Sequence, residues 1–426
     1  MNGQLAVRLG EAQVATISVS RGKTVLKYEE TYASRANAIP LSLSLPIGET
    51  THRGTAVDRF LDNLLPDNSD VRDSWARAAR LTSTDPLELL AYYGRDTAGA
   101  FTYHGAHDDL VVAPQIISPS AIAAILHELR NDSSAWHGTG NQGKFSLAGA
   151  QAKTSLASDG TNWRITSGQV PSTHIFKIAL SKFPDSDLIE HITMATARSV
   201  GISAAQTWIG SFGKERALVV QRFDRQPSAG RQIQRIHQED VLQGMGRSRL
   251  QKYQVQGGPP PEEILRLLDA TQSEWAARNN RLDYLKQLAF HWIVCGTDAH
   301  AKNYSVFLIP GEHLLTPMYD ASSYLPYIDT PFGGLPSAIA QLKLSANIAT
   351  SYEVGSAGTF EWEAIARKAR LPDFNLVQWM RATADNIRTQ MVGECDRILE
   401  SHPSAYVELL RERIDVRVNQ VLSQLI

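Results

Sequence analysis

The sequence predicts a mixed α/β (α+β) protein in three stretches: a small β-rich and then helical unit over residues 1–105, a second β-rich lobe over 106–225, and a mainly helical lobe over 226–426. Three observations predict it. Apolar residues at the N-terminus alternate with the period of two that strands need. From about 56 to 93, and again after 225, they recur three and four apart, the helical period. Between 106 and 225 short β-like runs alternate with two helical ones. A chain of 426 residues is also too long for one ordinary core, so two or three domains or lobes are expected.

The elements follow in order. LAVRL (4–8), VATISVS (14–20) and VLKY (24–27) alternate as strands. VDRFLDNLL and DPLELLAYY carry helical spacing; Pro66, Asp67 and Asn68 break the first, while Asp85 and Pro86 supply the N-cap and first position of the second. A boundary is placed near Gly105, where the polar GAHDD begins. ISPSAIAAILHEL opens on a Ser-Pro turn, and DLIEHITMATARSV ends at Gly201. FSLAG, KTSLAS, THIFKIAL and RALVVQRF read as strands. After Asp224, EEILRLLDA, DYLKQLAFHWIVCG, VQWMRATADNIRTQMV and YVELLRERIDVRVNQVL read as helices, with RERIDVR a solvated face.

Bulk composition excludes several functions. A formal charge of -2 and a pI near 6.6 do not suit a chain that grips phosphate backbones unaided. Cys295 and Cys395 are the only cysteines, too few for a disulfide framework or a cysteine-rich zinc site, so a reducing cytoplasm is expected. Arg8 and Glu11 interrupt the apolar N-terminus, and no window holds the roughly 18 unbroken apolar residues of a spanning helix. Neither a signal peptide nor a membrane anchor is expected.

The chemistry concentrates in DAHAKN (298–303). DYLKQLAFHWIVCG places Leu285, Leu288, Ala289, Trp292 and Ile293 on one face and delivers Asp298 just past its C-terminal end. Asn303 stands five residues on, immediately before the strand YSVFLI. A turn at Pro310, Gly311 and Glu312, the strand HLLTPMY and Asp320 complete a helix, Asp-x4-Asn, hairpin, Asp series. Phosphoryl transfer from ATP needs that set: one carboxylate to orient and deprotonate the attacking hydroxyl, and an amide oxygen with a second carboxylate to hold Mg²⁺. The plainer alternative is that Asp298 ends its helix and Asp320 caps a turn. A kinase-type site also needs a strand lysine on the α/β-phosphates and a helical glutamate to fix it. Lys177 in THIFKIAL and Glu190 in the following helix fit, against the alternative of an exposed edge lysine. Adenine would take backbone hydrogen bonds near Gln221 to Phe223.

GTGNQGK (138–144) satisfies G-x-G-x-x-G and nearly completes a Walker loop, but Phe145 stands where the hydroxyl for Mg²⁺ belongs. FSLAGAQAKTSL just downstream suits a phosphate loop better. Ala148, Gly149 and Ala150 let backbone N–H groups approach phosphates, with Gln151 beside them and Ser146 and Lys153 flanking. His300 either orients Asp298, touches phosphate or makes a local hydrogen bond; Lys302 either contacts phosphate or is solvated. His237, Glu239 and Asp240 match no zinc spacing and are expected at the surface or at a helix cap. Ser305 and Ser322 lack a nucleophile elbow, which excludes a hydrolase triad of that type.

KFSLAGAQAKTSL, THIFKIA, VVQRFDR, RIHQEDVLQ, GTDAHAKNYSVFL and LTPMYDASSYLP, in this order, resemble the HipA family of serine/threonine kinases, toxin halves of bacterial HipBA modules. FLDNLLPDNSDVRDSWAR (60–77) resembles the family's N-terminal subdomain, so the likeness spans nearly the whole chain. The resemblance implies a two-lobed protein-kinase-like fold with an added N-terminal subdomain. It implies Asp298 as catalytic base, Asn303 and Asp320 as magnesium ligands, Lys177 as the nucleotide lysine and Ser146 as the autophosphorylated serine whose modification ejects the phosphate loop. It further implies ATP and Mg²⁺ as cofactors, a HipB-like helix-turn-helix antitoxin as partner, operator DNA met mainly through that partner, and a translation-related substrate such as an aminoacyl-tRNA synthetase. Ala152 stands for a frequent glutamate, Ala299 for a common glycine and Gln221 for a frequent hinge glutamate; none removes a required ligand. The competing expectations are a catalytically silent scaffold acting as co-repressor with the antitoxin, and a small-molecule phosphotransferase.

Overall fold

The computed structural model describes residues 3–105, 115–137, 145–166, 170–227, 233–329 and 334–426, so the GTGNQGK stretch lies outside the described residues. The chain divides into two units. One comprises Met1–Ile178, Gly210–Arg249 and Phe307–Gly311; the other comprises Ala179–Ile209, Leu250–Val306 and Glu312–Ile426.

In the first unit, an antiparallel sheet runs in the spatial order Thr51–Arg53, Lys23–Tyr28, Ala12–Ser20, Gln4–Leu9, Phe101–His104. Its register pairs Leu5 with Ile17 and Ile17 with Leu26, so the alternation seen in the sequence puts all three on the buried face. Two helices, Thr55–Asn63 and Pro86–Tyr93, pack on the sheet, and Ser69–Ala78 packs on the second of them. The expected cap holds, with the Asp85 side chain accepting from the Leu87 N–H. The expected break after the first helix is also the start of another. Asn68 accepts from the Asp70 N–H and caps Ser69–Ala78, whose short amphipathic run was not read as a helix.

A second sheet is ordered Thr207–Phe212, Glu215–Gln221, His174–Lys177, Lys153–Ser158, Trp163–Ile165, Ile116–Ile117. One corrected expectation concerns FSLAG. It is no strand, because residues 145–148 join no ladder and only Gly149 forms a bridge, to Pro66. Its apolar residues serve the core instead. Phe145 and Leu147 join Leu156, Phe176, Val219 and the first sheet in one cluster, where Trp75 packs against Tyr93 at 4.7 Å and Trp136 at 5.9 Å between ring centroids.

The second unit is built on helices Ser186–Ser199, Pro261–Asp269, Glu274–Ile293, Thr359–Ala369, Leu376–Ser401 and Ala405–Gln424. Glu274–Ile293 starts earlier than the apolar pattern suggested, because the Ser273 side chain accepts from the Ala276 N–H. The helix is buried on several faces, and Trp292 meets Trp362 with centroids 5.4 Å apart. The RERIDVR run is only partly solvated, a second correction. Arg417 is 1% exposed, lies 4.4 Å above the Trp292 ring and donates to the Trp292 carbonyl. Arg413 donates to the carbonyls of Leu325 and Ile328 at 2.8 Å. Both thiols, Cys295 and Cys395, are buried and free. Among the described residues no helix is long and apolar enough to cross a membrane.

Candidate active site

In the second unit, the helix Glu274–Ile293 ends at Ile293 and the chain turns through Cys295, whose φ of 53° is left-handed, into the loop 297–303. The loop is a compact hydrogen-bonded turn. The Asp298 carbonyl accepts from the His300 N–H at 2.8 Å and from Asn303 Nδ2 at 2.7 Å, and the His300 carbonyl accepts from the Asn303 N–H at 2.8 Å. Base candidate and amide ligand are thereby tied through the backbone. Committing Nδ2 to a carbonyl fixes the amide orientation and leaves Oδ1 as the group's acceptor. Ala299, His300, Ala301, Lys302 and Asn303 are buried, whereas Asp298 is exposed. Tyr319 secures the loop's far end, since its hydroxyl donates to the Lys302 carbonyl at 2.7 Å and meets Ser305 Oγ at 2.6 Å.

Asp320 follows at once, half-buried, with φ of 55°. A non-glycine residue held in that region costs of order 1 kcal/mol or more and persists only where its surroundings impose it. Here they do: Met318 exchanges backbone hydrogen bonds with Ser203 and Ala205 at 2.8 and 2.9 Å on one side, and on the other the Ser323 N–H donates to Thr193 Oγ1 at 3.1 Å. Glu190 lies buried in the helix Ser186–Ser199 of the same unit.

The first unit holds the remaining candidates. Lys177 ends the strand His174–Lys177, is 3% exposed, and stands opposite Lys153 in the register with the neighbouring strand. An exposed edge lysine is therefore excluded. Lys153 Nζ donates to the Ala148 carbonyl at 2.6 Å and lies 5.1 Å from the Trp136 ring centre. Gly149 has φ of 105°, a conformation that favours glycine, and a Cβ there would stand 2.7 Å from Lys153 Nζ and oblige that side chain to shift. Ala150 is exposed, and Gln151 Nε2 donates to the Ile178 carbonyl at 3.1 Å. Gln221 is exposed at its strand end, and Phe223 meets Phe307 edge-on at 5.6 Å.

Ser146 is wholly buried. Its N–H donates to the Asp96 carbonyl at 2.9 Å and its hydroxyl to the Leu64 carbonyl at 2.7 Å, while the Asp67 N–H donates to the Gly149 carbonyl at 3.0 Å. Residues 64–67 and Asp96 thus form a seat for the loop. Behind the seat lies a buried ion cluster. The Asp96 carboxylate meets Arg225 at 3.0 Å and Arg235 at 3.3 Å and accepts from the Ser172 N–H at 2.8 Å; Asp224 meets Arg222 and Arg225, both at 2.9 Å. Burial opposes the charge of Asp96, but Arg222, Arg225 and Arg235 outweigh it and hold the carboxyl below its usual range. Composition and period do not announce this cluster; its one local sequence signal is the pair of arginines, Arg222 and Arg225, flanking Asp224 directly after the strand Glu215–Gln221.

His237, Glu239 and Asp240 are buried rather than at the surface. Asp240 does cap Val241–Gly244, in a reciprocal pair with Gln243. The His237 ring meets the Leu41 carbonyl, and Glu239 accepts from the Leu43 N–H. Among the described residues no group of three or more His, Cys, Asp or Glu side chains can hold a metal. Asn303 and Asp320 remain a fit for magnesium, which takes hard oxygens, accepts one or two protein ligands and fills its shell with phosphate and water.

Residues 145–393 match the family description HipA-like C-terminal domain, and residues 5–104 match HipA N-terminal domain. The chain belongs to the HipA family of serine/threonine kinase toxins. It is 28% identical over 393 residues to Y4mE of Sinorhizobium fredii, named for kinase activity, an alignment covering 90% of this chain and 89% of that protein. It is 28% identical over 341 residues, 76% of each chain, to the serine/threonine-protein kinase toxin HipA of Shewanella oneidensis. The fold is similar to HipA of Shewanella oneidensis solved with HipB and its operator DNA, with a TM-score of 0.80, 24% identity, and coverage of 98% of this chain and 97% of that one. The HipA-type, kinase-like fold expected from the motifs is therefore the fold found.

Proposed function

We propose that this HipA-family kinase transfers the γ-phosphoryl group of ATP to a serine or threonine hydroxyl of a protein. The observation that carries the reading is the loop in which one carbonyl, that of Asp298, receives both the His300 N–H and the Asn303 amide. It locks base and ligand in a single turn. Asp298 would take the proton of the acceptor hydroxyl as that oxygen bonds to phosphorus and the bond to the ADP oxygen breaks. Asn303 and Asp320 would hold magnesium, and bound Mg-ATP would supply the transferable group with its charge partly neutralised. With Glu190 in the role of the helical glutamate that a kinase-type site uses, Lys177 would hold the α/β-phosphates. Ala148, Gly149, Ala150 and Gln151 would present backbone N–H groups to them with Lys153 underneath, and His300 and Lys302 would support the phosphate end. Backbone groups near Gln221 and Phe223 would receive adenine, beside the boundary proposed at 225; the other is proposed at 105.

Ser146 would be the site of autophosphorylation. Its hydroxyl sits against a carbonyl in a fully buried seat, and a phosphate would bring about −1.5 to −2 charges there. The loop would have to leave, and once modified would stay out. A helix-turn-helix antitoxin of the HipB kind, operator DNA reached mainly through it, a translation-related substrate of the aminoacyl-tRNA synthetase class and a cytoplasmic setting complete the proposal. The test is intact-mass and peptide mass spectrometry after incubation with Mg-ATP. A phosphate on Ser146 that disappears in both Asp298→Asn and Ser146→Ala is expected. Nucleotide binding without phosphate on Ser146 or on any candidate protein would favour a silent scaffold, and no nucleotide binding would overturn the site.

A further inference from the structure

Within the second unit, a short segment ahead of the helix Pro261–Asp269 is built against the loop that carries Asp298. Tyr253 is its centre. The Tyr253 carbonyl accepts from the N–H groups of Gln256 and Gly258, both at 2.9 Å, across Gly257 with φ of 85°. A Cβ on Gly258 would stand 2.4 Å from the Gln251 carbonyl oxygen and 2.7 Å from that of Tyr253, so the turn closes only with glycine there. Gln254 Oε1 accepts from the Asn347 N–H at 2.9 Å and ties the turn to the strand Lys343–Ile348. The neighbouring Lys252 carbonyl accepts from the Ala301 N–H at 3.2 Å, and the Tyr253 ring stands edge-on to His300 at 5.0 Å. Thus fixed at backbone and ring, Tyr253 donates its hydroxyl to Asp298 Oδ1 at 2.6 Å.

We propose that Tyr253 is a positioning residue for the catalytic carboxylate: it holds Oδ1 and turns Oδ2 toward the acceptor hydroxyl. The inference rests on the reading of Asp298 as base. An exposed aspartate on a loop samples several rotamers, whereas proton abstraction needs one of them within hydrogen-bond reach of the acceptor. A rigid phenol is a suitable clamp, since it donates a single hydrogen bond from a planar ring. The Tyr253 hydroxyl is given to the base and not to a residue proposed to contact nucleotide, so the clamp acts on turnover and not on ATP affinity.

The test is single-turnover phosphoryl transfer to Ser146 by the full-length protein over a range of Mg-ATP concentrations, reading phosphate incorporated by intact mass, alongside thermal melts, for wild type, Tyr253→Phe and Asp298→Asn. Tyr253→Phe is expected to lower the maximal rate about tenfold, the equivalent of one hydrogen bond to a charged group, with the half-saturating ATP concentration and melting temperature unchanged. A rate within twofold of wild type, in a protein that Asp298→Asn silences, overturns the role of Tyr253 and leaves the base assignment standing. An unaffected Asp298→Asn variant overturns the base assignment itself. A loss of maximal rate accompanied by a raised half-saturating ATP concentration and a lowered melting temperature would make Tyr253 merely structural and also overturns the proposal. So does a faster Tyr253→Phe enzyme, because the tyrosine would then be competing with the acceptor for Asp298.

Discussion

Asp96→Asn should be among the most damaging single-atom-scale changes available in the first unit. The buried cluster contains three guanidiniums, Arg222, Arg225 and Arg235, and two carboxylates, Asp96 and Asp224. Neutralising Asp96 leaves three cations against one anion in a region where Asp96, Arg222 and Arg225 have next to no exposure. The asparagine cannot rotate out of the difficulty. Oδ1 faces Arg225 and Arg235, and Oδ2 faces the Ser172 N–H, so whichever position the new NH₂ takes, a donor meets a donor. Removing one partner of a buried ion network costs roughly 3–5 kcal/mol, a fall in melting temperature of about 6–20 °C for a unit of this size. Thermal and urea melts of wild type and variant at pH 7 measure it. Because the backbone of Asp96 also receives the Ser146 N–H, fluorescence titration with Mg-ATP should show weakened nucleotide binding even at temperatures where the variant stays folded. A destabilisation below about 1 kcal/mol would mean that the arginines reach water or relax, and would refute the argument from desolvation.

Two further outcomes are expected. Gly149→Ala combines a φ of 105° with a Cβ 2.7 Å from Lys153 Nζ; it should displace the lysine from the Ala148 carbonyl and weaken ATP binding about tenfold or more by isothermal titration, for a loss of roughly 1–3 kcal/mol, while Ala150→Gly should leave binding near wild type. Glu239→Gln should flatten the stability profile between about pH 6 and 8. Burial pushes the Glu239 carboxyl up to about 8 against the pull of the Leu43 N–H, and Oε2 has no hydrogen-bond partner among the described residues. A folded value above the unfolded one means that the native state holds the extra proton, so this contribution is present below the unfolded value and is lost as pH rises through about 8. Wild type should lose roughly 2–3 kcal/mol between pH 6 and 9 from this group alone, and denaturant melts of Glu239→Gln over that range should lack the loss.

The parts legible in the sequence are those whose signals are local. Asp85 with Pro86, Ser118 with Pro119, and Gly201 mark helix ends because caps are chosen by the few residues around them. The Asp298 to Asn303 loop was legible because both chemical groups lie between a helix and a strand that each announce themselves by period. FSLAG was misread for the opposite reason. Its alternation is that of a buried segment, and whether such a segment joins a ladder depends on partners distant in the chain, here Leu64, Pro66 and Asp96. The ion cluster joins residues 96, 172, 222, 224, 225 and 235, and Tyr253 reaches Asp298 across 45 positions. No periodicity encodes either.

Those long-range contacts bear on why a kinase of this family carries its N-terminal stretch at all. Three hydrogen bonds, two from Ser146 and one to Gly149, bind the segment proposed as the phosphate loop to residues that precede position 105. At about 1 kcal/mol each, they bias the loop toward its seat by roughly a hundredfold, enough to keep it in place and little enough for a single modification to reverse. A phosphate on Ser146 would remove its hydroxyl donor and set a dianion against the Leu64 carbonyl, reversing the sign of that contact. On the proposed reading the seat is therefore one arm of a balance, and Asp96 is its fulcrum: its backbone holds the serine, and its side chain is locked by the arginines that follow the strand Glu215–Gln221. A change in the N-terminal stretch that loosens residues 64–67 should then act on nucleotide binding without touching a single nucleotide contact.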